Sequence, residues 1–172
     1  MSAVAAPSTD RAPFEQQVWQ LLATVPDPEI PVLSIVDLGI VRHVRQGEDR
    51  RLHVALTPTY SGCPATDVIR RMVRAALDRA GHGEAVLEEV LSPPWTSEWL
   101  TPEGCAKLRA FGIAPPAQPV GSPRGLWHQT PVSCPRCASD ATERLSEFGS
   151  TPCKAHYRCT ACGEPFDYFK CH

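Results

Sequence analysis

The residues best suited to chemistry are cysteines, and six of the eight lie after residue 133. Four of them form two C-x-x-C pairs, Cys134 with Cys137 and Cys159 with Cys162. Four thiolates at this spacing are the ligand set that one tetrahedral Zn²⁺ prefers. The spacing therefore predicts a metal site, and Gly163 directly after the second pair eases the turn that such a site needs.

The sequence leaves other interpretations of these thiols open. Four thiolates also hold iron–sulfur clusters, and Cys153 and Cys171 are candidate additional ligands of a metal or cluster. Those two cysteines could equally be small buried apolar residues, and the paired cysteines could form a redox dithiol. We expect zinc, because paired cysteine turns suit a single ion. We expect His156 and His172 to be surface or packing residues rather than ligands.

Cys63 is a second candidate site, separate from the tail. It lies between Gly62 and Pro64, in the turn before a predicted helix. Unpaired backbone N–H groups and the positive end of the helix dipole favour a thiolate at such a position. The thiolate could bind a metal, carry a cluster or act as a nucleophile. A cysteine there could also cap the helix or pack under the turn.

Two carboxylates form the third candidate site. Asp27 and Glu29 lie in a loop that Pro26, Pro28 and Pro31 make stiff. Their oxygens could serve as hard metal ligands or as hydrogen-bond acceptors for a partner. The alternative is that they are solvated or give the loop its shape.

Hydrophobic periodicity predicts the elements that position these residues. Helical spacing of apolar residues predicts three helices, beginning at 13, near 64 and near 101. Three strands are expected, at 40–45, 51–57 and 86–91. Alternation of apolar residues predicts the second, and β-branched and apolar residues predict the third. The connection from the second strand through a helix to the third is long enough for a parallel crossover, and the apolar character of 86–91 favours a central position in the sheet.

We therefore expect the fold class α+β, a small mixed three-stranded sheet with packed helices followed by a C-terminal zinc-ribbon-like β domain. Short ribbon strands are expected at 142–148 and 153–159. Five of the 18 prolines lie between residues 113 and 131, with glycines between them, and this stretch reads as a linker. The predicted segments are a disordered leader, an α+β domain, a Pro-rich linker and a ribbon domain, at 1–12, 13–112, 113–131 and 132–172.

Composition limits the location and the partners. The sequence has 17 Lys and Arg against 19 Asp and Glu, a net charge of −2, which gives no broad attraction to nucleic acid. It contains no secretory signal and no apolar run of membrane-spanning length. We therefore expect a cytoplasmic protein with reduced cysteines and no membrane partner. Cys105 is expected in the core, and Trp95 and Trp99 could form a docking patch or cover the sheet.

Several segments carry a resemblance to known families. VPDPEIPVLSIVDLGIV and TPTYSGCPA resemble the SufT-type iron–sulfur cluster assembly domain, a small α+β module with a loop cysteine before a helix. SPPWTSEWLTPEG, CPRC, CTAC and FGSTPCKAHYRCTACGEPFDYFKCH resemble the PaaD (PaaJ) family of accessory subunits of the phenylacetyl-CoA epoxidase system. The resemblance covers nearly the whole chain after residue 13.

The resemblance implies a role in aerobic phenylacetate degradation. That system forms the ring 1,2-epoxide of phenylacetyl-CoA with a di-iron oxygenase and a reductase carrying flavin and an iron–sulfur cluster. The PaaD-like subunit is an accessory that assists iron or cluster maturation of those oxygenase and reductase subunits, its partners. Carried over by position, the loop cysteine of the assembly family is Cys63 and its acidic motif is Asp27-Pro28-Glu29.

The sequence itself is consistent with a chain that is not catalytic alone. It lacks the Glu and Glu-x-x-His sets of a di-iron bundle and has no nucleotide-binding signature. Three alternatives stay open: an integral subunit of the oxygenase, a thiol oxidoreductase, and a nucleic-acid-binding ribbon. The last would use basic and aromatic residues of the tail, namely Arg136, Arg144, Lys154, Tyr157, Arg158, Phe166, Tyr168, Phe169 and Lys170. The near-neutral charge argues against it.

Overall fold

The computed structural model describes residues 12–60, 64–116 and 131–170. The chain divides into two compact units, the first ending at Gly104 and the second beginning at Cys105. Almost all of the predicted leader, most of the predicted linker, and Cys63, Cys171 and His172 lie outside the described residues. No helix in the described ranges is long and apolar enough to cross a membrane.

The first unit is an α+β fold in which the predicted helices and strands are present. Its helices are α1 (Pro13–Leu22) and α2 (Ala65–Arg79), and α3 (Pro102–Phe111) begins here and continues into the second unit. Its strands are β1 (Val41–Gln46), β2 (Leu52–Leu56) and β3 (Val86–Glu89). A single 3₁₀ turn, Ser97–Trp99, precedes α3.

The three strands form a mixed sheet in the order β1-β2-β3. β1 and β2 are antiparallel and β2 and β3 are parallel, so the predicted crossover through α2 is confirmed. The central strand is β2, however, and the prediction that residues 86–91 form the central strand is wrong. Every β3 residue is partly exposed, whereas four of the five residues of β2 are buried. Position in the sheet follows from pairing, which the composition of one strand does not determine.

Apolar residues of the helices and of the proline-rich loop form the core of this unit. Val18 and Leu22 from α1 and Val73 and Leu77 from α2 are each almost completely buried. Trp95 is also buried, and its indole N–H donates a hydrogen bond to the Leu38 carbonyl at 2.8 Å. Trp95 is therefore a core residue rather than part of an exposed docking patch.

The second unit contains a four-stranded sheet in the order β4-β7-β6-β5. The strands are β4 (Ile113–Ala114), β5 (Thr142–Ser146), β6 (Lys154–Cys159) and β7 (Pro165–Phe169). β5 and β6 confirm the two predicted ribbon strands. β7 and β4 were not predicted, and β4 consists of the first two residues of the predicted linker, paired in parallel with β7.

A small core in this unit includes two of the cysteines. It contains Ala114, Val132, Cys134, Cys159 and Phe166, all buried, with two tyrosines packed against it. Cys105, in α3, is only half-buried rather than fully in the core, and burial raises the pKa of its thiol.

Candidate metal centre

The four cysteines of the two C-x-x-C pairs come together at one end of the ribbon. Their Sγ atoms all lie within 4.8 Å of one another. The Sγ atoms of Cys134 and Cys162 are 3.8 Å apart, and those of Cys137 and Cys159 are 3.6 Å apart. The predicted ligand set is thus assembled by the fold, with one sulfur of each pair buried and the other exposed.

The two cysteine turns have the same backbone geometry. In each, the residue four positions after the first cysteine has a positive φ, 58° at Ala138 and 79° at Gly163. In each, the N–H of that residue donates at 2.9 Å to the carbonyl of the first cysteine, Cys134 or Cys159. The N–H of that same cysteine donates to the carbonyl of the residue five positions later, also at 2.9 Å. The prediction that Gly163 eases the turn is confirmed.

The sulfur positions fit a single ion. A Zn–S distance of about 2.3 Å in a tetrahedron puts neighbouring sulfurs about 3.8 Å apart, close to the two separations that the structure shows. Sulfurs this close leave no space among them for several irons and their bridging sulfides. The donor set and its geometry therefore fit one zinc ion held by Cys134, Cys137, Cys159 and Cys162.

The protein environment shifts the pKa values of the Cys137 and Cys159 thiols in opposite directions. The backbone N–H of Cys162, assisted by that of Ala161, forms a hydrogen bond with Cys159 and lowers the pKa of that thiol to about 7. A hydrogen bond from the Ser139 backbone lowers the pKa of Cys137, but hydrogen bonds with the neighbouring thiols and burial outweigh it and raise the pKa to about 12. Of these two thiols, Cys159 is therefore the more readily available as a thiolate.

An arginine lies beside this negative centre. Arg136, within the first C-x-x-C pair, forms a hydrogen-bonded ion pair with Glu164. The hydrogen bond to Glu164 raises the pKa of the guanidinium most, and the charges of Glu164 and of the cysteines raise it further. Four thiolates around Zn²⁺ would carry a net charge of −2, and the Arg136–Glu164 pair adds no net charge to it.

Asp27, the first carboxylate of the acidic loop in the first unit, has a structural role. Asp27 is only 6% exposed. Its Oδ1 accepts hydrogen bonds from the backbone N–H of Glu29 at 2.9 Å and of Ile30 at 2.7 Å. The Asp27 N–H donates to the Leu33 carbonyl at 2.8 Å, which closes the loop. These contacts support the loop-shaping role among those predicted for Asp27. Glu29, in the same loop, is half-buried.

Comparison with known proteins places this geometry in a family. Residues 15–88 match the family described as iron–sulfur cluster assembly protein, and residues 119–170 match the PaaD zinc beta ribbon domain. The chain is 48% identical over 164 residues to a putative subunit of 1,2-phenylacetyl-CoA epoxidase from Escherichia coli (strain K12), covering 95% of this chain and 97% of that protein. The chain belongs to the PaaD family. The resemblance expected from the sequence is confirmed.

The first part of this PaaD-family chain also has shorter relatives. It is 33% identical over 95 residues to an Fe-S protein maturation auxiliary factor of Porphyromonas gingivalis (strain ATCC BAA-308 / W83), covering 55% of this chain and 90% of that protein. A crystal structure of a domain of unknown function from Bacillus anthracis is 30% identical with a TM-score of 0.49, covering 55% of this chain and 91% of that one.

Of the remaining cysteines predicted as ligands, Cys153 is described by the structure and is not in the four-sulfur cluster. Cys153 is 5% exposed and lies with its Sγ 3.1 Å from the Thr151 hydroxyl. This position corresponds to the packing alternative for Cys153. Cys63 and Cys171 lie outside the described residues, so their roles as ligands stay predictions. The Nδ1 atom of His156 lies 3.3 Å from the Asp167 carboxylate, outside the cluster of cysteines.

Most of the basic and aromatic side chains that could bind nucleic acid already form ion pairs or are buried within the PaaD ribbon. Arg136 pairs with Glu164, Arg158 with Glu143, and Arg144 with Glu147 at 2.8 Å. Phe166 and Phe169 are only 4% and 1% exposed, so they are core residues rather than surfaces for base stacking. The neutralised cations and buried rings argue against a nucleic-acid partner for this surface.

One candidate residue was missed by the sequence analysis. Thr57 follows β2 and is 1% exposed, and its hydroxyl has no hydrogen-bond partner among the described atoms. It lies six residues before Cys63, at the start of the segment TPTYSGCPA. A buried hydroxyl without a partner is rare in folded proteins and calls for an explanation. Sequence alone gave no signal, because a threonine at the end of a strand is common.

Proposed function

We propose that this protein is an accessory maturation factor of the phenylacetyl-CoA epoxidase complex, assisting assembly of iron or an iron–sulfur cluster in the oxygenase or reductase subunits. The observation that carries the proposal is the combination in one chain of an iron–sulfur assembly domain at 15–88 with a PaaD ribbon that holds four clustered sulfurs. The E. coli relative is named as a subunit of that epoxidase, and the shorter relatives are named as maturation factors.

In this proposal the ribbon has a structural role. Zinc bound by the four cysteines would cross-link the two turns and supply folding free energy to a domain too small to be stable through its own core. The ribbon would then present a rigid surface to a client subunit. Cys153 would contribute packing only, in accordance with its burial.

The first unit would handle the iron. The Cys63 thiolate would hold one coordination position of an iron or cluster while a client cysteine approaches. Transfer would then be a ligand exchange, in which the bond from iron to the client sulfur forms as the bond to Cys63 breaks, with no change in oxidation state. The Asp27 carboxylate would hold the backbone of its own loop in place through its hydrogen bonds with the N–H groups of Glu29 and Ile30.

Replacing Cys63 with serine tests the transfer step. A serine hydroxyl is a poor iron ligand at neutral pH, so the C63S protein should leave its client without iron, and epoxidase activity should fall about tenfold or more in a reconstitution that starts from metal-free subunits. Zinc content of the ribbon, measured by elemental analysis, is the control and should not change. Clients that load normally with C63S would show that the transfer role is wrong.

An integral subunit is a second candidate function, and the word "subunit" in the name of the E. coli relative favours it. The two functions differ in what happens after loading. A maturation factor can be removed from loaded oxygenase and reductase with activity retained, whereas an integral subunit is required in every turnover assay. Omitting the protein from a reconstitution with fully loaded partners distinguishes them.

A further inference from the structure

A groove in the first unit offers a surface that the metal chemistry does not use. It lies between the end of α1 and the face of α2 and has a volume of about 630 Å³. Its lining residues are Leu21, Thr24, Val25, Pro26, Arg71, Met72, Ala75, Ala76, Arg79 and Ala80. The lining is apolar apart from one threonine and two arginines, and it contains no acidic residue.

The two arginines of the lining, Arg71 and Arg79, carry positive charge that no nearby carboxylate among the described residues neutralises. On the same helix, Arg70 pairs with Glu89 at 3.0 Å and Arg74 with Asp78 at 3.9 Å. Arg79 donates only to a neutral group, the Ala75 carbonyl at 2.9 Å, and neither Arg71 nor Arg79 has an acidic partner within the described residues. Positive charge on α2 is therefore concentrated at the groove.

The spacing of these groups defines the shape of a partner. Arg71 and Arg79 are eight residues apart on one helix, so their Cα atoms are separated by about 12 Å along its axis. Between them Ala75 is exposed and Met72 is half-buried, and small alanine side chains allow another helix to approach closely. The Thr24 hydroxyl is satisfied by the Leu21 carbonyl at 2.7 Å, so the guanidinium groups are the polar contacts that remain available.

We propose that this groove binds an amphipathic helix of a client protein, with apolar side chains on the floor and two carboxylates, about two turns apart, on Arg71 and Arg79. A helix lying in an apolar groove is a common mode of peptide recognition, and charges at the rim fix its direction and register. The choice of a client as the partner rests on the proposed function. The groove would hold the client while the Cys63 thiolate takes part in the proposed ligand exchange.

A charge-swap experiment with the full-length protein tests the proposal. The probes are two fluorescein-labelled helical peptides of eighteen residues with the same leucine stripe, one with glutamates seven residues apart and one with lysines there. Binding is measured by fluorescence anisotropy. The glutamate peptide should bind about tenfold or more tightly than the lysine peptide, and R71E/R79E should reverse this preference. Ala75→Gln, which fills the floor without changing charge, should weaken the binding of both peptides.

The matched control is K107E/R109E, two exposed cations on α3 that give the same change in net charge. It should leave the preference for the glutamate peptide intact. Equal binding of the two peptides, an equal effect of the control, or a homodimer that R71E/R79E dissociates would overturn the proposal. The assay involves neither iron nor Cys63, so its failure leaves the C63S experiment unaffected, and a negative C63S result leaves the groove intact.

Discussion

At the scale of single residues, the two cysteine turns differ in one informative way. Both need a residue with positive φ four positions after the first cysteine, but Gly163 supplies it in one and Ala138 in the other. An L-residue with a side chain pays roughly 1–2 kcal/mol for this conformation. No atom lies within 4 Å of the place where a Cβ would stand on Gly163, so φ alone sets the cost of a substitution there.

Exchanging these residues should therefore have opposite effects. Gly163→Ala should lower the free energy of unfolding of the zinc-loaded ribbon by about 1 kcal/mol. Ala138→Gly should raise it by up to about 1 kcal/mol, because relief of the strained φ exceeds the added entropy of the unfolded glycine. Chemical denaturation at fixed zinc concentration measures both. A shift of the same sign in the two variants would contradict the equivalence of the turns.

Asp27 gives a second prediction at this scale. Asp27→Ala removes a buried acceptor of two backbone N–H groups, which should destabilise the first unit by about 1–3 kcal/mol. Asp27→Asn keeps one carbonyl oxygen for these bonds and should recover part of the loss. Glu29→Gln is the neighbouring control and should change stability by less than about 0.5 kcal/mol. Urea unfolding gives all three values, and equal losses for Asp27→Ala and Glu29→Gln would show that Asp27 does not close the loop.

Among the helices and strands, local sequence patterns were sufficient to predict the elements whose geometry depends on residues close in sequence. Helical spacing located α1, α2 and α3, and alternation located β1 and β2 within a residue or two. The C-x-x-C spacing identified all four sulfurs that the fold brings together. Each of these signals depends on residues close in sequence, where propensity and ligand chemistry act directly.

Elements whose existence depends on distant pairing were not predictable in the same way. β4 has only two residues, Ile113 and Ala114, and forms because β7 pairs with it. β3 looks apolar enough for a central strand but lies at an edge, because β2 takes both partners. The buried role of Asp27 was also hidden, because a carboxylate among prolines gives no signal of which backbone groups will approach it.

Removal of zinc should act on the ribbon alone. A strong chelator should strip about one zinc per chain, and the ribbon should unfold because bound metal supplies on the order of 10 kcal/mol or more of folding free energy to such domains. The first unit should keep its helical circular dichroism. Elemental analysis and the number of thiols that react with a colorimetric disulfide reagent check this, since four protected thiols should become reactive. Visible absorption of iron–sulfur character in the native protein would contradict the zinc assignment.

At the scale of the whole molecule, composition predicted two parts and the structure shows two compact units. The predicted boundaries, with a linker at 113–131, stay a prediction, and the division between Gly104 and Cys105 falls within α3. Composition could not reveal a division there, because a continuous helix contains no break in sequence pattern. Prolines mark where a chain lacks regular structure, which need not be where its compact units separate.

The two ends of the proline-rich segment lie in the same place. Ala114, the second residue of the predicted linker, and Val132, directly after the linker, are both buried in the small core that contains Cys134 and Cys159. Ala114 also belongs to the ribbon sheet. A protease that cuts within 117–130 would thus produce a nicked protein whose pieces stay associated, rather than two free domains. A ribbon expressed from residue 119 onward would lack one strand of its own sheet. The same segment is a suitable place to insert a reporter, since both insertion points are already anchored to one body.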